Sequence, residues 1–202
     1  EINFDADYGQ FRGRGTSYQP NYYYDKNGNL MYQVINQTNT PTNIDIMTSK
    51  VDVEQPKWKG KIGYGLKFSL VKTKNSFEFY SENSGSLKLD PTRSNSFNYD
   101  ENVNAAYLNY QRQFNPKWSF QGGIRMEQTN SKGVLTRADG VVQPDNEVKK
   151  NYLDFFPSAA ITYTINPKHT VNLTYSRRID RPSYQDLNPF ENKLDELDRK
   201  ST

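Results

Sequence analysis

The sequence predicts an all-β fold, an antiparallel up-and-down meander of about 7–8 long strands. Apolar and polar residues alternate with period two over runs longer than the usual strand of about five or six residues. Short connections alternate with long polar ones. Large rings occupy the apolar positions, and Tyr, Phe and Trp make up 14% of an otherwise polar chain. Together these observations indicate a segment of a transmembrane β-barrel.

Composition excludes several classes of protein. The 202 residues include no Cys and one His, which argues against a disulfide scaffold, a Cys-ligated metal site and a His-based catalytic triad. The 26 basic and 23 acidic residues are too balanced for a nucleic-acid-binding surface. No apolar run reaches the roughly 18 residues of a transmembrane helix, and the first five residues lack signal-peptide features. We therefore predict no enzymatic activity, no cofactor and no metal.

The clearest predicted strand follows Trp58. Its even positions up to Leu70 are mostly apolar, and its odd positions are polar or glycine. The alternation recurs over 103–114, 118–128, 153–165 and 169–179, and these runs are near the 9–11 residues that cross a membrane. Near the N-terminus, Phe4–Tyr8 and Ile44–Ile46 resemble pieces of strand. The phase slips between Ile46 and Val51, which predicts a β-bulge.

The connections predict the arrangement of the strands. Three similar segments containing Pro-Lys predict short turns at about 55–57, 115–117 and 166–168. Polar segments predict long loops at about 12–42, 73–98 and 130–150. In a meander all short turns then lie at one end, as in outer-membrane barrels with short periplasmic turns and longer extracellular loops. Residues 1–202 are predicted to form a single barrel segment.

The two faces of the predicted sheet differ chemically. We expect one face to meet lipid, with aromatic bands at Trp58, Phe114, Trp118 and Phe120 and at Phe68, Phe77, Phe79, Phe155 and Phe156. The residues predicted to face lipid are Trp58, Ile62, Leu66, Phe68, Trp118, Phe120, Ile124, Ile161, Tyr163, Val171 and Leu173. Those predicted to face the lumen are Lys59, Lys61, Lys67, Arg125, Glu127 and Arg178. A soluble sheet with aromatic cross-strand pairs is the alternative.

The segment 174–190 reads TYSRRIDRPSYQDLNPF. It resembles the signature of the TonB-dependent-receptor-like outer-membrane β-barrel family of the Bacteroidetes, and residues 102–110, 122–129, 65–69 and 75–79 fit the same family. The motif residues are Tyr175, Arg177, Arg178, Arg181, Pro182, Leu187, Asn188, Pro189 and Phe190. The resemblance covers most of residues 44–190. It implies a Gram-negative outer-membrane barrel with a plug domain, which takes up a nutrient such as a glycan or siderophore with energy from the TonB system.

The sequence departs from a whole receptor of this family. It shows no plug, no TonB box and no aromatic-ended closing strand, so we interpret it as a middle piece of the barrel. The TonB system would act through the missing N-terminal part. We expect the isolated piece to self-associate, because it would expose two sheet edges and an apolar face. No loop carries a motif that identifies the ligand.

Two other architectures remain as alternatives. A soluble cell-surface β-sandwich that binds glycans would need short strands and an aliphatic core. A complete eight-stranded barrel with a structural role is the second alternative, and the polar C-terminus argues against it.

A few smaller motifs have both a functional and a structural interpretation. Asp25–Asn29 resembles the start of a calcium loop, but Asn-Gly is a common tight turn. Asp5 and Asp7 resemble a pair of glycosidase carboxylates, and Tyr22–Tyr24 suggests either a platform for stacking sugars or the end of a strand. His169 has no evident partner. The acidic residues Asp180, Asp186, Glu191, Asp195 and Glu196 are more typical of a solvated loop than of a cation site.

Overall fold

The computed structural model describes residues 1–83, 86–179, 191–193 and 199–201. The strands of its main sheet are β1 Ile2–Tyr24, β2 Leu30–Lys57, β3 Gly60–Asn83, β4 Ser86–Leu89, β5 Asn95–Asn115, β6 Trp118–Arg137, β7 Glu147–Asn166 and β8 His169–Ser176. Their order is β1-β2-β3-β5-β6-β7-β8, all antiparallel, with β4 on the outer part of β3. A separate pair consists of β9 Glu191–Lys193 and β10 Arg199–Ser201. The predicted all-β meander is confirmed.

The strands are much longer than the sequence suggests. Six of them contain 20 to 28 residues. The prediction of long loops at 12–42, 73–98 and 130–150 is therefore wrong, because strands occupy most of each range. These segments are mostly polar on both faces, so apolar and polar residues alternate in them only over short runs or not at all. Backbone hydrogen bonds still hold them in the sheet, since a ladder does not depend on apolar side chains.

Two of the three short turns lie where they were predicted. At Pro116-Lys117 and Pro167-Lys168, the side chain of the preceding Asn accepts a hydrogen bond of 2.9 Å from the lysine amide. The first turn is instead formed by Trp58 and Lys59, whose φ angles are 53° and 59°. Gln55 takes the place of that Asn, and its longer side chain forms no such bond, so β2 continues through Pro56 to Lys57.

The bulge predicted between Ile46 and Val51 is absent from the described strands. These residues pair with β1 and β3 without a register shift. Ile44 and Ile46 simply point to the opposite face from Val51 and Val53. The apolar residues of β2 thus change face along the strand, and the backbone does not slip.

The sheet curls into a half-barrel. Residues that are paired across strands share a face. One row on the first face is Phe4, Val51, Leu66, Ala106, Met126 and Phe155, and one row on the second is Asp5, Lys50, Lys67, Ala105, Glu127 and Asp154. The second face has the more buried side chains, and we infer from this that it is the concave face of the curled sheet. It carries the buried residues of β3, β5 and β6, which are Thr73, Phe79, Asn95, Phe97, Tyr99, Ala105, Thr129, Gly133 and Leu135.

A small core lies on the concave face, towards the end with the longer connections. Phe97, Tyr99 and Leu135 form a buried cluster, and the Phe97 ring lies over Gly133. Phe77 and Phe79 belong to the same face, as does Phe156 on β7. The second predicted aromatic band is therefore wrong for these three rings.

Gly65 allows a side chain to cross β3. The Tyr107 side chain extends from β5 over Gly65 and donates a hydrogen bond to Asp52 on β2. A Cβ at residue 65 would lie 2.6 Å from the Tyr107 hydroxyl and 2.4 Å from the Val51 carbonyl oxygen. A Cβ at Gly63 would lie 3.8 Å from its nearest neighbour, which is an ordinary contact.

We expect Gly65→Ala to lower the free energy of unfolding of the intact protein by about 1–3 kcal/mol, because Tyr107 and the neighbouring strand must move. Gly63→Ala is the matched control and should leave stability unchanged or slightly higher. Urea unfolding in detergent micelles, followed by heat-modifiable gel migration, measures both. Equal midpoints for the two variants would contradict the crossing of β3 by Tyr107.

Candidate functional site

The convex face carries a continuous apolar surface, which we call the apolar belt. Its residues are Ile2, Phe4, Tyr8, Met47, Val51, Val53, Ile62, Tyr64, Leu66, Phe68, Leu70, Ala106, Leu108, Tyr110, Trp118, Phe120, Ile124, Met126, Leu153, Phe155, Ile161, Tyr163, Val171, Leu173 and Tyr175. On β1 to β7, no charged side chain lies on this face between the row of Ile62 and the row of Leu70.

The dimensions of the belt match a bilayer. From Ile62 to Leu70 the strand rises about 26 Å, or about 20 Å after the usual tilt of a barrel strand. Outer-membrane barrels carry an apolar band of about 25 Å. The belt is also oblique to the rows. On β3 the belt runs from Ile62 to Leu70, and on β6 the residues in the same two rows are Gly122 and Asn130. The belt on β6 runs instead from Trp118 to Met126, so both of its edges are displaced by four residues towards the short turns.

Many side chains of the belt are largely exposed. The exposed fraction is 68% for Phe4, 64% for Leu66 and 71% for Leu173. A contiguous apolar surface of this extent marks a contact surface in a folded protein. Both edges of the belt shift in the same direction across the sheet, as expected if tilted strands cross a flat slab.

At the same level, the concave face carries a polar network, which we call the concave-face network. It comprises Asp5, Lys50, Asp52, Tyr107, Arg125 and Glu127. The Lys50 ammonium lies 2.7 Å from the Asp52 carboxylate and 3.4 Å from that of Asp5.

Tyr107 links the two halves of this network. Its hydroxyl donates to Asp52, and the Arg125 guanidinium lies 5.5 Å from the centre of its ring. Arg125 also pairs with Glu127 on its own strand. Opposite charges thus alternate from β1 to β6 across the concave face.

Most of the predicted site residues segregate by face. Lys61, Lys67, Arg125 and Glu127 lie together on the concave face, opposite the apolar residues predicted for the other face. Lys59 and Trp58 are exceptions, because both lie in the turn. Trp58 there makes an edge contact with Tyr110, with ring centres 6.5 Å apart.

The C-terminal motif is only partly described. Tyr175 lies on β8, and Arg177 and Arg178 follow the end of that strand. The Arg177 guanidinium donates to the Phe155 carbonyl oxygen at 2.7 Å and lies 3.4 Å from Asp154, so it fastens this segment to β7. Arg181, Pro182, Leu187, Asn188, Pro189 and Phe190 lie outside the described residues, as do Asp180, Asp186, Asp195, Glu196 and the side chain of Glu191.

The smaller motifs have structural roles. The Asp25 carboxylate accepts hydrogen bonds from the amides of Asn27 and Asn29, both at 2.8 Å. The side-chain amide of Asn29 is the main cause of a lowered Asp25 pKa. Tyr22–Tyr24 form the end of β1, and Tyr23 stacks on Tyr32 with ring centres 4.5 Å apart.

The remaining acidic and basic motifs have neighbours of their own. Asp5 contacts Lys50, and Asp7 accepts a hydrogen bond from Thr48 at 3.2 Å. The His169 ring lies 3.1 Å from the Asn166 side chain. In the part of the chain that the structure describes, no three acidic, His or Cys side chains come together as a metal site, and no helix is long and apolar enough to cross a membrane.

Several ionisable groups above the belt have pKa values shifted by their surroundings, Tyr99 and Glu147 among them. Burial raises the pKa of Tyr99 to about 12, so this phenol stays neutral within the small core. Lys149 and then Lys132 lower the pKa of Glu147, so this carboxylate stays ionised between them.

Comparisons with known proteins agree with this geometry. The sequence model of the outer membrane protein beta-barrel family matches residues 1–200. The ferric yersiniabactin uptake receptor FyuA from Yersinia pestis is similar in structure, with a TM-score of 0.54, 13% identity and coverage of 82% of this chain. The ferric citrate transporter FecA in its unliganded form gives 0.53, 14% and 82%. The chain spans 23% of the length of each. No curated protein sequence matches.

Tyr107→Phe should lower the free energy of unfolding by about 1 kcal/mol, because Asp52 loses a hydrogen bond from a neutral donor. Tyr64→Phe is the matched control. Tyr64 lies on the other face of β3, and its hydroxyl has no hydrogen-bond partner among the described residues. Urea unfolding of the intact protein in micelles measures both variants. A loss for Tyr64→Phe as large as for Tyr107→Phe would contradict the role of the network.

Proposed function

The chain belongs to the outer membrane protein beta-barrel family, and on this premise we propose that it forms part of the barrel of a TonB-dependent receptor for nutrient uptake. The observation that carries the proposal is the pairing of an apolar belt on the convex face with a charged network on the concave face at the same level. A barrel wall needs both surfaces at once, since one meets lipid and the other meets water or a plug.

The proposal assigns each face its environment. The belt residues contact the hydrocarbon of the outer membrane. Lys61, Lys67, Arg125 and Glu127 face the lumen, where a plug domain from another part of the protein meets them. The turns at Trp58, Pro116 and Pro167 point to the periplasm, and the longer connections point outward.

The uptake role rests on the likeness to receptors and on the motif around Tyr175. The two structural neighbours carry ferric complexes according to their names. For this chain we propose a nutrient of the same broad kind, a siderophore, a glycan or a similar solute, with TonB supplying the energy. The motif supports an origin in the Bacteroidetes. We assign no enzymatic role.

A soluble glycan-binding sandwich is disfavoured. Its core would lie between two packed sheets, whereas most of the apolar side chains here are spread over the exposed convex surface and the concave face holds only a small cluster. Strands of 20 residues or more also exceed the mode of about five or six in soluble sheets.

Leu108→Arg should sharply reduce the amount of folded protein in the outer membrane, because a guanidinium at mid-bilayer on the lipid face costs about 2–4 kcal/mol. Asn109→Arg is the matched control, since this exposed neighbour lies on the concave face of the same strand. Heat-modifiable migration of the intact protein in outer-membrane fractions measures both. Equal folded amounts would contradict the assignment of the convex face to lipid.

The uptake role is tested by growth. Strains lacking the gene, lacking tonB, or lacking both are compared on ferric chelates and oligosaccharides as sole sources. We expect at least one nutrient on which none of the three strains grows. On that nutrient, reintroducing the intact gene should restore growth of the single-gene deletion but not of the strain that also lacks tonB. Normal growth of the single-gene deletion wherever the tonB deletion fails would contradict the proposal.

A further inference from the structure

A band of cations lies on the convex face directly beyond the apolar belt, at the end with the longer connections. Its members share the face of Leu66 and lie in the three rows that follow the row of Leu70. We call it the outer cationic band, and it consists of Arg12, Arg14, Lys72, Lys74, Lys132 and Lys149.

The band has an excess of positive charge. Its six cations share three rows with only three carboxylates, Asp45, Asp100 and Glu147. Arg12 forms an ion pair with Asp45 at 2.6 Å. The carboxylate of Glu147 forms ion pairs with both Lys132, at 3.3 Å, and Lys149.

Lys72 and Lys74 are the least compensated members. Both are exposed on β3. Neither has an ion-pair partner among the described residues. Arg14, on β1, is likewise exposed and without a carboxylate partner in the described part of the chain. These groups are available to an anion outside the protein.

The height of the band corresponds to lipid headgroups. Lys72 is two residues beyond Leu70, and Lys132 is six beyond Met126. On tilted strands these spacings put the cations about 5–15 Å above the belt. The headgroup layer extends about 5–8 Å beyond the hydrocarbon, and long basic side chains can bend towards it.

Amide side chains surround the cations. The convex positions between or beside them carry Gln10, Asn43, Asn98, Asn102, Asn130 and Asn151, and Asn104 and Gln128 follow one row nearer the belt, in the row of Phe68. Each amide provides both donors and acceptors, which suit the hydroxyl and acylamide groups of a sugar. Basic side chains are sufficient to bind a phosphate group, so a ligand that consisted of phosphate alone would not explain the amides.

We propose that the outer cationic band binds the phosphorylated saccharide headgroups of glycolipids in the outer leaflet. The cations meet the phosphates, and the amides meet the sugar. Zwitterionic phospholipids fit less well, since an amine accompanies each phosphate. The inference rests on the proposed function for the assignment of the convex face to lipid and of the longer connections to the outside.

The test uses the intact protein in neutral maltoside micelles, titrated with bis-phosphorylated lipid A, with bound lipid counted by native mass spectrometry. Lys72→Gln combined with Lys74→Gln should weaken binding about ten- to thirtyfold, as expected for the loss of two basic contacts with an anionic headgroup. Lys61→Gln combined with Lys67→Gln is the matched control, because it removes two lysines from the concave face of the same strand. This control should bind within about twofold of the wild type.

A second measurement needs no variant. The wild-type protein should bind lipid A more tightly than the same lipid after enzymatic removal of its phosphates, and added NaCl should weaken only the first complex. Equal affinity for the two lipids would overturn the inference. So would unchanged binding by the Lys72/Lys74 variant, or an equal loss in the control, with both variants folded by heat-modifiable migration.

These outcomes are separate from a failure of the proposed function. If the barrel assignment is wrong, Leu108→Arg is tolerated in the outer membrane. If only the headgroup site is wrong, the protein remains folded in the outer membrane and active in uptake, and its lipid A binding does not depend on Lys72 and Lys74.

Discussion

Every feature of the structure depends on the strict alternation of side chains about an unbroken backbone ladder. From Ile62 to Leu70, neighbouring residues of β3 face opposite environments, and β2 and β5 continue the same rows on either side. The hydrogen-bonded ladder satisfies the backbone along the whole crossing, which a bilayer requires of any chain within it. One short segment can therefore carry Leu66 on an apolar face and Lys67 on a charged one.

The alternation changes character at the outer edge of the belt. Beyond Leu70 the convex face carries Lys72 and Lys74, while the concave face becomes apolar around Phe97 and Leu135. The outer half thus resembles an ordinary soluble sheet with its own small core, and the inner half resembles a membrane wall with a polar interior. The strands pass through both regions without a break, which explains their length of 20 residues or more.

The sequence predicts the half of the strands that carries the belt well and the outer half poorly, for physical reasons. Alternation of apolar and polar residues predicts that Leu66 and Lys67 lie on opposite faces, as they do in the sheet, because successive side chains of a strand point to opposite sides. Thr38 and Asn39 on β2 give no such signal, since a polar ladder needs only its backbone. The turn after β2 is missed because Gln55 cannot cap it as Asn115 caps the next one. The Asp52–Tyr107 contact depends on register and on Gly65, neither of which a local pattern reveals.

The central claim is that the convex face of the belt meets lipid. Single spin labels can be placed along β3 from Ile62 to Ser76 in a Cys-free background of the intact protein, reconstituted in bilayers; this chain itself has no Cys to replace. Accessibility to oxygen and to a water-soluble nickel complex should alternate with period two as far as Leu70, with oxygen favoured at even positions. Nickel should be favoured at Lys72 and Lys74. Oxygen favoured at Gly65 and Lys67, or no alternation at all, would contradict the account.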